Sequence, residues 1–386
     1  MIPIHSSGLY FHIPFCRSKC SYCDYYSLSG RVDRREIFLE MLIEEIKMRA
    51  EKAYSGGDQE YIFSTVYLGG GTPSLLEPQM VAEIIEKARE NFNLVEKPEI
   101  TMEVNPADLQ TEKKLRVWQD VGVNRFSLGL QSLRPEELDI LDRDHDRPMA
   151  LEALRLMSEE AGNFSADLIY ALPNQRPEDF FATLDELLSF NPHHLSVYRL
   201  EIKNGTDLKR EVEEGRYEFM DEDSETRIFS ELEEIASAGG LRRYEIASYA
   251  RPGYRSQHNL HYWRYNDYLG FGPAAHGMWQ GRRIKNLPSF SRYIDSLFRG
   301  ELPPGEVEVL ELEDRISEFM IMGLRLCRGI EEKRFQSRFG RLPEYYFAGV
   351  IDELRKEGLL AREKGRIFLT ERGMKLGNYV FRQFIL

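Results

Sequence analysis

The 386-residue sequence predicts an α/β protein built on a parallel sheet, followed by a smaller, mainly helical C-terminal domain. Three observations predict it. Short β-branched and aromatic runs alternate with longer amphipathic stretches over the first two-thirds of the chain. Glycine and polar residues gather at the ends of those runs. Beyond about Pro303 the pattern changes to apolar helices around one small hairpin.

The strand runs are Leu9–Ile13, Thr65–Leu68, Glu99–Val104, Arg125–Leu128, Ser165–Tyr170 and His194–Leu200, read as nearly continuous apolar segments of the kind a covered parallel sheet uses. Between them Arg34–Lys52, Pro78–Asn91 and Pro177–Phe190 are helical in pattern. Six such units suit a (β/α) barrel, complete or partial, and equally a doubly wound sheet; periodicity does not choose. Tyr10 and His12 lie in the first run, Gly69–Thr72 follow the second, Glu103 and Asn105 close the third, Gln131 follows the fourth and Asp167 lies in the fifth. In both architectures the carboxyl edge of the strands carries the site, so one site fed by many strands is expected. Toward the C-terminus, Asp314–Cys327 and Leu342–Glu357 are helix candidates, and Leu359–Thr370 predicts two short strands around a turn before a last helix, a winged-helix-like order. The expected division is residues 1–300 and 301–386.

With 51 Lys+Arg against 64 Asp+Glu the formal charge is −13, which argues against a nucleic-acid partner, because phosphate contacts need clustered cations. Residues 341–386 carry nine basic and six acidic side chains, a net of only +3, and are expected to form a packing or lid domain. No apolar stretch approaches the length of a membrane span, and the first residues lack a secretory signal pattern, so a cytoplasmic protein is expected.

Three of the four cysteines, Cys16, Cys20 and Cys23, form a CxxxCxxC motif. Soft thiolates this close in one loop suit an iron–sulfur cluster or zinc. A 4Fe–4S cluster ordinarily takes four cysteines; three leave one iron open to a small-molecule ligand. The alternative is a Cys₃His zinc site with His12 as fourth ligand, which would make the chain a zinc-stabilised interaction protein. Cys327, on the apolar helix candidate, reads as a buried core thiol.

CxxxCxxC after a strand ending HIPFC resembles the radical SAM superfamily. Together with YLGGGTPSLL, MEVNP, RFSLGLQS, DLIYALPNQ and HLSVYRL, in matched order from about Gly8 to Gly277, it resembles one branch: the oxygen-independent coproporphyrinogen dehydrogenases and their haem-chaperone relatives. The resemblance implies a partial (β/α)6 barrel with a C-terminal winged-helix-like domain. It implies that Cys16, Cys20 and Cys23 hold a 4Fe–4S cluster whose open iron chelates S-adenosylmethionine. It further implies that Tyr10 and Tyr22 line that cofactor, that Gly70, Gly71 and Thr72 let backbone approach it, and that Glu103, Gln131, Arg143 and Asp167 meet its polar groups. Taken alone, Arg143 sits in a charged stretch that would read as a solvated face.

Within the branch, Cys23 is followed by Asp24 and Tyr25 where the coproporphyrinogen enzyme has a further cysteine, and Cys16 lies near the start where that enzyme has an N-terminal extension. Both departures resemble the haem chaperones, as does His258-Asn259-Leu260-His261-Tyr262-Trp263, an HNxxYW motif. The resemblance implies a protein that binds haem, with His258 as a haem contact ahead of His261 and His276. Such a protein delivers haem to an acceptor protein, for which a respiratory haem enzyme fits. The competing expectation is an enzyme that decarboxylates coproporphyrinogen III by a radical mechanism.

Overall fold

The computed structural model describes residues 6–55 and 61–386; the opening residues 1–5, on which the signal-sequence reading begins, lie outside them. Six strands, β1 (Ser6–Ile13), β2 (Ile62–Gly70), β3 (Leu94–Val104), β4 (Arg125–Gln131), β5 (Phe164–Tyr170) and β6 (His194–Arg199), pair in that order and in parallel. All six predicted runs are strands. Beyond β6 the sheet continues through the antiparallel pair β7 (Arg242–Glu245) and β8 (Ser248–Ala250), with β8 next to β6. On the other side β9 (Tyr268–Phe271) runs parallel to β1 and leads into antiparallel β10 (His276–Trp279), β11 (Arg282–Asn286) and β12 (Gly305–Val309), giving one 12-stranded sheet. Side chains from β2 through β6 line a single cavity, so the sheet is curled: a partial barrel, with β7 and β12 as its unjoined edges.

The strands differ from the nearly continuous apolar runs expected of them. Successive strand side chains point to opposite faces, and here only one face is apolar. Leu9, Phe11, Val66, Leu68, Ile100, Met102, Phe126, Leu128, Ala166, Leu168, Leu195 and Val197 are buried in one cluster with the surrounding helices. The alternate positions read Gly8-Tyr10-His12, Thr65-Tyr67-Gly69, Thr101-Glu103, Arg125-Ser127, Ser165-Asp167 and His194-Ser196-Tyr198. The barrel interior is therefore polar, because it encloses a cavity rather than a packed core.

The helix Arg35–Tyr54 takes in the predicted Arg34–Lys52 except Arg34, its N-cap, and Pro78–Asn91 and Pro177–Ser189 start on prolines whose missing N–H costs a first helical turn nothing. Within the first helix, the fully buried Glu45 accepts hydrogen bonds from Arg49 Nε (2.7 Å), Gly272 N (2.7 Å), Tyr293 Oη (2.8 Å) and Asn286 Nδ2 (3.0 Å). One carboxylate thus joins the N-terminal helix to the segment after β9, to β11 and to the helix Phe290–Phe298.

The C-terminal part has its own apolar cluster, built on Ile316, Phe319, Met320, Phe335, Phe347, Ile351, Ile367 and Phe384. The helices Glu332–Phe339 and Glu344–Lys356 precede a hairpin of β14 (Leu360–Glu363) and β15 (Arg366–Leu369), joined by the short β13 (Ile330–Glu331), which is the predicted winged-helix order. Two expectations shift. The main sheet does not end at residue 300, since β12 pairs with β11 along its whole length. Cys327 is not on a helix: the helix Leu312–Leu324 ends before it, the thiol is only half-buried, and its backbone N–H bonds the Tyr244 carbonyl (3.0 Å). No helix among the described residues is long and apolar enough to cross a membrane.

Candidate functional site

The loop after β1 carries the three cysteines and is tied down by the chain itself. Ser21 donates from its backbone N–H to Leu141 O (3.2 Å) and from Oγ to Ile140 O (2.7 Å), while Leu208 N donates to Ser21 O (2.9 Å). Arg17 pairs with Asp108, a buried carboxylate that also accepts from Ser74 Oγ (2.7 Å). Cys16, Cys20 and Cys23 are free, half-buried and all on the wall of one cavity of about 500 Å³ at the carboxyl edge of the strands. Thr72 Oγ1 points at Cys16 Sγ (3.6 Å) and Arg143 Nη1 at Cys20 Sγ (3.4 Å). Burial raises the Cys16 thiol and lifts Cys23 to about 11, with the neighbouring thiols adding to both shifts.

Three cysteines on one wall, two of them with thiols raised by burial, fit a cationic inorganic centre, which would favour their thiolates. The zinc alternative loses its fourth ligand. His12 Nε2 donates to Tyr26 O (2.9 Å) and Nδ1 faces Tyr10 Oη (3.2 Å), so both ring nitrogens are engaged away from the cysteines.

The same cavity is lined by Tyr22, Gly70, Gly71, Thr72, Glu103, Gln131, Arg143 and Asp167. Glu103 accepts from Tyr67 Oη (2.9 Å) and Gly70 N (3.1 Å), and burial raises its carboxyl to about 7. Asp167 accepts from Ser127 Oγ (2.8 Å) and Ser165 Oγ (3.0 Å); burial raises it too. Arg143 is not on a solvated face: Nη2 donates to Gly129 O (2.8 Å), and its Nε is buried. Gln131 holds φ of 67° at a register shift between β4 and β5, a conformation few side chains adopt. The glycines after β2 are needed by the chain's own packing as well as by any ligand. A Cβ on Gly71 would lie 2.7 Å from Phe15 O and 2.8 Å from Ile13 O, and one on Gly70, at φ of 108°, would lie 2.5 Å from the His12 ring.

Two expected residues are not brought to the cavity wall. Tyr10 stacks on Tyr67 (6.1 Å between ring centroids) beneath it. His258 is fully buried, with Nδ1 on Thr65 Oγ1 (2.7 Å), Nε2 on Tyr262 Oη (2.8 Å) and its ring stacked on Tyr67 (5.0 Å). Burial holds it neutral, and both ring nitrogens of this expected haem contact are engaged within the chain in this conformation. His261 is likewise buried and bonded to Ser64 and Asn266; His276 is exposed. Sequence reading missed Tyr67, Arg125, Ser127, Ser196 and Tyr198, all on the wall. Their signal was the polar residue at every second strand position.

A parallel half-barrel whose first loop aims three cysteines into a polar lumen defines the class: residues 10–187 match the model of the radical SAM superfamily, and residues 310–376 match that of the HemN C-terminal domain. Membership of the superfamily implies a 4Fe–4S cluster and S-adenosylmethionine, which the three thiols and the cavity fit. The chain is 32% identical to the heme chaperone HemW of Bacillus subtilis, over 97% of this chain and 98% of that one, and 32% identical to HemW of Escherichia coli over the full length of both. It is 33% identical to a mouse protein, radical S-adenosyl methionine domain-containing protein 1, mitochondrial, over 96% of this chain and 83% of that one. The chain belongs to the HemW family. Among solved structures, the coproporphyrinogen III oxidase HemN of Escherichia coli matches with a TM-score of 0.84, at 24% identity over 99% of this chain and 91% of that one, which is a likeness of fold.

Proposed function

We propose that this protein is a haem chaperone: it holds a 4Fe–4S cluster on Cys16, Cys20 and Cys23, binds S-adenosylmethionine in the barrel mouth, and binds haem and hands it to an acceptor protein in the cytoplasm. The observation that carries this reading is full-length similarity to proteins named heme chaperone HemW, against a likeness to coproporphyrinogen III oxidase that is one of fold. Asp24 and Tyr25 stand after Cys23, where the coproporphyrinogen enzyme has its further cysteine.

The bound cluster, with its open iron, would supply a one-electron centre that chelates the cofactor's amino acid end. This chain's own residues do the rest. Arg143, held by Gly129 O beside Cys20, sets a fixed cation at that end of the cavity. Glu103, about half ionised at pH 7, can accept a hydrogen bond from the cofactor's amino group or exchange one with water. Asp167, fixed by two serines, presents a carboxylate suited to ribose hydroxyls. Tyr22 covers the cavity next to the cysteines. Haem reaches His258 only if the short helix Gln257–Trp263 gives up the bonds to Thr65 and Tyr262. We assign the sheet through β12 to cofactor binding and the residues beyond it to covering the barrel or meeting the acceptor.

The test uses anaerobically reconstituted protein, incubated with haem and, separately, with coproporphyrinogen III, reductant and S-adenosylmethionine. Stoichiometric haem binding without decarboxylated product is expected. Formation of protoporphyrinogen would establish the enzyme instead.

A further inference from the structure

Many arginines of this chain are held by acids: Arg155 by Glu152 and Glu159, Arg216 by Glu211 and Glu214, Arg227 by Glu178 and Glu231. One seam departs from this. Arg255, Arg264, Arg315, Arg334 and Arg338 form no salt bridge with a described residue, and each faces another of the five. Two carboxylates reach them: Asp267 faces Arg338, and Glu331, already bridged to Arg366 at 3.0 Å, faces Arg334. The seam is therefore cationic, on a chain whose formal charge is −13.

Its guanidinium groups are set in place by the fold. Arg334, on the helix Glu332–Phe339, donates from Nη2 to Arg264 O and to Asn266 Oδ1 (2.9 Å) and lies 5.3 Å from the Phe319 ring centroid. Arg338, one turn on, donates from Nη1 to Tyr265 O (3.1 Å) and lies over the Tyr265 ring at 5.0 Å. Each spends one terminal nitrogen on these bonds and keeps the rest of its fork. Holding like charges this close costs energy: burial, with Arg338 and Arg264 alongside, lowers Arg334 to about 10. Arg255, Arg264 and Arg338 are exposed, so an anion can reach the seam.

Arg264 caps the helix Gln257–Trp263, which carries His258, whereas Arg315, Arg334 and Arg338 belong to C-terminal helices. Tyr265–Asp267 lead directly into β9, which runs parallel to β1, so the seam lies at the amino edge of the sheet, opposite the edge that carries the cysteines. Fixed guanidinium forks fit carboxylates or phosphates two bonds at a time. A long polyphosphate or an anionic membrane would also meet the chain's excess of acids, whereas a short acidic segment needs only the seam. Arginine and aromatic residues are enriched in the hot spots of protein interfaces.

We propose that this seam docks an acidic segment of the acceptor protein, whose carboxylates bridge the arginine that caps the His258 helix and those of the C-terminal helices. That the segment belongs to an acceptor rests on the chaperone reading; the carboxylate-binding surface does not.

The first measurement is fluorescence anisotropy of labelled hexaglutamate and hexaglutamine peptides with the full-length protein at low salt. Hexaglutamate binds, with an affinity that falls as salt rises, and hexaglutamine does not. Arg255→Gln and Arg264→Gln, whose side chains hold no hydrogen bond with a described residue, each weaken binding by about 2- to 5-fold with Tm unchanged. Arg334→Lys, which keeps the charge without the fork, weakens it as well, and Arg155→Gln leaves it unchanged. Wild-type affinity in the Arg255→Gln/Arg264→Gln double variant, or no hexaglutamate binding at all, overturns the surface. Tighter binding of single-stranded DNA or of phosphatidylglycerol vesicles, lost in the same double variant, assigns the seam to phosphate and overturns the protein partner.

The second measurement is a haem titration of the wild type and the double variant. Equal haem affinity is expected, since the seam meets a partner; weaker haem binding by the variant would put a propionate on these arginines and overturn the proposal. If haem fails to bind the wild type, the chaperone reading falls while the peptide experiment still decides the surface.

Discussion

Replacing Glu45 by glutamine removes the charge at the point where the first helix meets the closing strands. The carboxylate accepts four hydrogen bonds from four separate groups, all buried. Glutamine offers one acceptor oxygen and turns the other position into a donor that faces donors. It also strands Arg49, which keeps Asn286 Oδ1 (2.8 Å) as a neutral partner but loses its counter-charge. Breaking a buried pair from one side costs about 3–5 kcal/mol. With an unfolding entropy of about 2.1 cal/mol/K per residue, a chain of 386 residues unfolding in one transition loses about 4–6 °C in Tm. Calorimetry on the single variant, on Arg49→Met and on the double variant gives a cycle. The double variant should recover part of the loss, because it leaves no unpaired ion. A single variant within about 1 °C of wild type, or a double variant as unstable as the sum of the singles, would refute the view that this carboxylate locks helix to sheet.

Glu103 makes stability depend on pH. Its folded carboxyl titrates at about 7, above the ordinary 4.5, so its contribution is fully present below pH 4.5 and is lost as pH rises through 7. The effect is at most about 3 kcal/mol. Glu103→Gln should flatten that slope in urea midpoints measured from pH 4.5 to 8, and an unchanged slope would remove Glu103 as its source. Gly71→Ala drives a Cβ against Phe15 O and should cost about 1–3 kcal/mol; iron and sulfide content after reconstitution should fall below wild type, because the displaced segment carries Cys16. Serine at Cys16, Cys20 or Cys23 should abolish the cluster's visible absorbance, whereas Cys327→Ser should leave it intact. His258→Ala, which deletes two hydrogen bonds and a stacked ring, should lower stability by about 2–4 kcal/mol with the cluster retained; a fully stable variant would mean that His258 is not a structural hub.

The strands and the three cysteines were legible because each rests on local pattern, while the rest of the wall that was named came from the family resemblance. The six runs alternate with amphipathic stretches, and the cysteine spacing needs no tertiary context. Arg143 was harder: its neighbours Asp142, Asp144 and Asp146 give it a solvent-facing character that only the fold overrides, by laying it against Gly129 and Cys20. For His258 the fold adds partners that the motif does not show. A histidine beside tyrosine and tryptophan invites a ligand role, but Thr65 and Tyr67, from a distant strand, and Tyr262, one helical turn on, bond and stack on it. Arg125 sits at an inward strand position flanked by Asn124 and Phe126, and a sequence does not say which face of a strand encloses a cavity. The shift of the sheet's end to Val309 has the same origin, since pairing of β12 with β11 is long-range information.

The position of β1 also sets a timetable. The strand that leads into the cysteine loop lies between β2, ending at Gly70, and β9, which spans Tyr268–Phe271. During synthesis its second neighbour is missing until about 200 further residues have been added, which takes about 10–40 s at ordinary elongation rates. For that interval one edge of β1 stays bare, an invitation to pair with another chain. Three thiols emerge at the start of this wait, and the residues that tie their loop down, from Asp108 to Leu208, are added during it. A product truncated before β9 leaves the strand that leads into the cysteine loop without its second neighbour.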